Sequence, residues 1–176
     1  MALIQKTDPV GIDIPIDRLQ KHLFDNLTWK DATNGYESFH RAYINKSNGS
    51  NEAEVFETGI DYNEVFTNDN LSATSFFLRD NDSPITNVVT STVHIIFQVN
   101  LKELYPLIEH RADEEAHRDV YNILQRNPWI NFDLTGFTKG IEGVYEALRI
   151  EQINFDDMQP FHVFKYTLTI THKMEC

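Results

Sequence analysis

The chain has 176 residues, 41% of them hydrophobic, and carries 15 basic against 27 acidic side chains for a net charge of −12. Such a composition fits one globular domain with its own core and not a disordered chain. It excludes a transmembrane helix, a disulfide or cysteine–zinc scaffold (the lone cysteine is Cys176), and a nucleic-acid groove built on a Lys/Arg run.

The N-terminal stretch MALIQKTDPVGIDIP lacks a signal-peptide core and transit-peptide arginines, so synthesis in the cytoplasm without export is expected. Residues 1–14 read as an extended arm broken by Pro9 and Gly11. From Pro15, the residues Ile16, Leu19, Leu23 and Leu27 fall on one helical stripe and predict a helix over 15–27. Asn34-Gly35 marks a turn. FHRAYINK alternates as a strand, and AEVFE reads as its partner after the break at SNGSNE. The span 46–71 is taken as a long loop or hairpin region, with TGIDYNEVFTNDN as loop. SATSFFLRD is a further strand.

NVVTSTVHIIFQV is the strongest strand signal: Val89, Val93, Ile95, Phe97 and Val99 share one face, and Thr90, Thr92, His94 and Gln98 the more polar other. FHVFKYTLTITHK repeats the device, with Phe164, Tyr166, Leu168 and Ile170 opposed to Lys165, Thr167, Thr169 and Thr171. Between them DEEAHRDVYNILQRN predicts a helix ending before Pro128, and GIEGVYEAL a short third helix weakened by Gly143. The expected fold class is α+β: a single domain spanning 1–176, an antiparallel sheet with 88–99 and 162–172 as main strands, and two main helices packed on one face.

HRADEEAH, residues 110–117, is the densest cluster of reactive side chains. A helical metal pair needs histidines three or four apart, and these are seven apart. Asp113, Glu114 and Glu115 instead suit the first turn of a helix, at the positive end of its dipole. His110 then lies before the helix, and the carboxylates are expected to face solvent. YESFH is no nucleophile elbow, and DYNEVFTNDNLS lacks the glycine and final glutamate of a calcium loop. No catalytic residue, cofactor site or metal site is assigned, and the chain is not expected to be an enzyme.

The order of features resembles a known group. An opening helix and an irregular hairpin region precede the long strand STVHIIFQVNLKELY, the helix DEEAHRDVYNILQRN and the last strand of MQPFHVFKYTLTI. Over roughly residues 14–172 this resembles the tail-terminator and tail-completion proteins of tailed bacteriophages, ring proteins of the head–tail connector. FHRAYIN…AEVFETGIDYNEVFTNDNLSATSFF also looks like structural proteins of phages of Bacteroidetes-type hosts, including crAss-like phage ring proteins. The resemblance implies a structural virion protein, made in the host cytoplasm and located in the tail or neck. Its partners would be copies of itself and other portal, neck or tail proteins, with no membrane and no sequence-specific grip on DNA. Glu54, Asp61, Tyr62, Glu64 and Phe66 are the candidate interface residues. The alternatives are a cytosolic non-catalytic binding module with an unknown ligand, and a metal-dependent hydrolase using His110, His117 and Glu114.

Overall fold

The computed structural model describes residues 2–47, 50–58, 61–64, 70–83, 87–127, 130–146, 148 and 158–173. The chain folds as one α+β domain around a mostly antiparallel sheet. The strands are β1 (Ala2–Ile4), β2 (Tyr36–Ser47), β3 (Ser50–Thr58), β4 (Asp61–Glu64), β5 (Ala73–Asp82), β6 (Val88–Asn100), β7 (Phe132–Lys139) and β8 (Phe161–Lys173). Their order is β4-β3-β2-β5-β6-β8-β7, with β1 beside β2. The sheet is mostly antiparallel, as expected, and two pairings, β1 with β2 and β2 with β5, are parallel. The crossover from β2 to β5 passes through the β3–β4 hairpin. This crossover, and not the residue pattern of either strand, sets their direction.

β6 and β8 pair over their full length, from Val88↔Lys173 to Asn100↔Phe161. The apolar face foreseen for them is the main core. Val93, Ile95, Phe97 and Val99 meet Phe164, Tyr166, Leu168 and Ile170 there. Helix α1 (Asp13–Asn26) covers this face with Ile16, Leu19 and Leu23, and α3 (Asp113–Gln125) with Ala116, Val120 and Leu124. Both helices lie where their 3.6-residue periodicity placed them, and on the same face. A short α2 (Leu101–Leu104) follows β6, its Glu103 N–H donating to the Asn100 side chain at 3.4 Å.

The opposite face is not simply polar. Ala42, Val55, Phe76, Leu78, Ile96 and Val163 form a second apolar cluster, covered by Val144, Tyr145 and Leu148. That cover comes from α4 (Ile141–Val144) and the residues after it, the expected short third helix. The N-terminal arm is extended, as expected, but it is also anchored. β1 joins the sheet, and Lys6 and Arg41 both bond to the buried carboxylate of Asp13, Arg41 through Nε at 2.6 Å and Nη2 at 3.1 Å.

Two strands fall where none was expected. β4 lies inside the stretch taken as a loop after Thr58 and pairs with β3. β7 pairs with β8 and carries a bulge between Leu134 and Gly136. Gly136 suits that spot, because a Cβ there would come 3.3 Å from Thr167 Cβ. No helix among the described residues is long and apolar enough to cross a membrane.

Candidate functional site

The histidines of HRADEEAH part company. His110 precedes α3 and is exposed, its Nε2 4.0 Å from Glu115. His117 sits one turn into α3, and its position on the Ala116–Val120 stripe turns the ring into the sheet. Its side chain is 8% exposed and lies 4.7 Å, centroid to centroid, from both Phe137 and Phe164. Of the three carboxylates between the histidines, Glu114 faces solvent as expected, while Asp113 and Glu115 are half-buried. Among the described residues no three His, Cys, Asp or Glu side chains converge as a metal-binding group.

His117 meets His162 instead. Their Nε2 atoms lie 2.8 Å apart, and Arg111 Nη2 lies 2.9 Å from His162 Nδ1. A guanidinium can only donate, so His162 Nδ1 accepts and its proton is on Nε2. That proton is donated to His117 Nε2, which leaves the His117 proton on Nδ1, 3.8 Å from Glu114 Oε1. The chain therefore has one direction: Arg111 to His162 to His117, with Glu114 beyond. Burial, then the neighbouring His162, push the His117 pKa down to about 4, against the pull of Glu114 and Asp113. His117 is therefore neutral near pH 7, and its lone pair is already occupied. The arrangement locks α3 onto β8; it presents no free base.

Outside this pair runs an open groove of about 580 Å³ between α3 and the edge strand β7, bordered by Arg118, Tyr121, Leu134, Phe137 and Tyr166. Tyr121 and Phe137 are each 44% exposed there. The period-two pattern of β8 contained a signal for His162, since it shares the parity of Phe164 and Tyr166 and so points at α3. No local signal marked Arg111 as its partner.

The candidate interface residues lie at the other end of the sheet. Glu54 is half-buried on β3, opposite Tyr43 on β2 and Glu64 on β4. Asp61, Tyr62 and Glu64 belong to β4, with Tyr62 in register with Phe56. Phe66 lies outside the described residues. The four described positions are therefore on an edge hairpin and not on a free loop. No known protein family matches the chain, and no curated protein is similar enough to match it.

Proposed function

We propose that the chain is a structural subunit of a closed ring at the portal, neck or tail junction of a tailed bacteriophage, joining its neighbours and completing the conduit for DNA. The observation that carries this reading is the pair of unlike edges at which the described sheet ends, β4 on one side and β7 on the other. A contact between two different surfaces is head-to-tail, and repeated copies close into a ring when the rotation allows. Bare sheet edges recruit other chains, and a ring that covers them in every subunit removes that liability.

Two further features support a structural role. The buried histidine pair found among the described residues offers no free lone pair to a substrate. Between Ser47 and Leu78 the chain has Glu52, Glu54, Glu57, Asp61, Glu64 and Asp69 and no Lys or Arg. A surface of that sign repels phosphate, which suits a wall that DNA passes without adhering.

Cross-linking mass spectrometry of gradient-purified virions tests the reading. The chain should be present in several copies, linked to itself and to portal or tail proteins. Virions that contain portal and tail proteins but lack this chain would overturn it.

A further inference from the structure

On the sheet face away from α1 and α3, a cavity of about 260 Å³ lies between β5, β6, β8 and the segment that follows α4. Leu78, Ile96, Val144 and Leu148 give it an apolar side, and Arg79, Asp80, His94 and Glu146 a polar one. Lys165 of β8 projects into these surroundings with its side chain only 5% exposed. Its Nζ donates to Glu146 Oε1 at 2.8 Å, and the Glu146 side chain is 71% exposed. An ammonium has three N–H donors, and among the described residues only this one bond engages them.

We infer that this cavity binds a small monocarboxylate with an apolar body, its carboxylate seated on the Lys165 ammonium and its carbon chain between Leu78, Ile96, Val144 and Leu148. A buried cation is stable only when paired and hydrogen-bonded. Glu146 gives that pairing from the solvent side and leaves the inner N–H groups directed into the cavity. Because Glu146 stands mostly in water, it can turn away at little cost when another carboxylate arrives. The two acids are competitors for one ammonium.

The neighbouring groups restrict the ligand class. His94 lines the cavity with Nδ1 2.9 Å from Thr167 Oγ1, and burial, then the charge of Lys165, lower its pKa. Neutral near pH 7, it adds no charge, and Arg79, which also lines the cavity, is followed on β5 by the carboxylate of Asp80. Asp80 and Glu146 stand at the same cavity and disfavour a multiply charged anion such as a phosphate dianion. The buried Lys165 ammonium beside Leu78, Ile96, Val144 and Leu148 matches one negative charge on a greasy body. The site lies on the face opposite the α3–β7 groove and does not depend on ring assembly.

Isothermal titration calorimetry of the full chain with sodium hexanoate tests the inference, with hexylamine and hexanol as controls. Hexanoate should bind saturably at one site, and hexylamine should not. Lys165→Met should weaken hexanoate by about tenfold or more, the loss typical of one charged hydrogen-bond anchor. Glu146→Gln should tighten it, because the competing carboxylate is gone. Glu146 is exposed, so this second variant keeps the fold and decides the matter even if Lys165→Met unfolds. No saturable binding by the unaltered chain, or weaker binding by Glu146→Gln, would overturn the assignment.

Discussion

His162 on β8 hands its Nε2 proton to His117 on α3 across 2.8 Å, because Arg111 occupies the other side of the His162 ring. The bond lasts only while the His117 imidazole is neutral, because a proton on its Nε2 removes the acceptor. A helix that covers the main core is thus held to the sheet by a contact that acid can undo.

Stability should follow pH accordingly. The folded His117 titrates at about 4, against 6.5 for an ordinary histidine. Between those values the unfolded chain binds more protons than the folded one, so acid favours unfolding. The contribution is complete above about pH 6.5, declines as pH falls through that window, and levels off below about pH 4. Thermal melts across the range should show the decline. The double variant His117→Leu/His162→Leu should show a shallower one; an unchanged slope would assign the effect to other groups.

The same pair should be strongly non-additive. His117→Ala alone leaves the His162 N–H buried without its acceptor, a loss of about 1–3 kcal/mol beyond the lost packing. Removing His162 as well abolishes that orphaned donor. Urea unfolding of both single variants and the double one should therefore give a double cost well below the sum.

Asp13 is a buried ionic point that ties the arm, α1 and β2 together through Lys6 and Arg41. Burial opposes its charge, but the bonds from Arg41 and Lys6 win and hold its carboxyl below the usual value. Asp13→Ala would leave Arg41 facing an empty site, and breaking such a pair costs about 3–5 kcal/mol. Denaturant midpoints measure it. A loss under about 1 kcal/mol would mean the cluster behaves like an exposed salt bridge.

Gly143 sits where α4 meets β7, and a Cβ there would lie 2.7 Å from Thr138 Cγ2. Gly143→Ala should destabilise the chain by about 1–3 kcal/mol through overpacking. Adding Thr138→Ser removes the methyl group that is struck and should restore most of the loss. Equal stability for the single and double variants would show that the clash is relieved by another route.

Assembly can be separated from folding at the acidic hairpin. Changing Glu54, Asp61 and Glu64 to Lys together reverses the charge of the hairpin, and thermal melts of the variant run in parallel establish that it still folds. Incorporation into virions, followed by complementation and particle proteomics, should fall. Tyr62→Ala and Phe66→Ala should weaken incorporation by about 1–3 kcal/mol each if those rings anchor a neighbour. Normal incorporation of all three variants would remove the hairpin from the contact surface.

Much of the architecture was readable because its signals are periodic. Apolar residues recur at every second position from Val93 to Val99 in β6 and from Phe164 to Ile170 in β8, and the α1 and α3 stripes follow helical spacing. β7 was hidden by its bulge. Phe132, Leu134 and Phe137 stand opposite Ile170, Leu168 and Tyr166, a spacing of two and then three, so the alternation breaks in mid-strand. β4 was hidden because DYNE contains one apolar residue and takes its strand form from pairing with β3. The pairing of His162 with His117, and of Lys165 with Glu146, joins residues that are 45 and 19 positions apart. Local patterns place each residue on a face but do not match it to its partner.

The position of β8 within the sheet also governs how the chain is made. It is the last described strand to be synthesised, yet it lies between β6 and β7, with a neighbour along each side. A nascent chain that stops short of residue 161 exposes the flanks of both strands and the undersides of both helices. Folding therefore awaits the synthesis of β8, and a chaperone that shields β6 during that interval would cover an edge that has yet to find its neighbour.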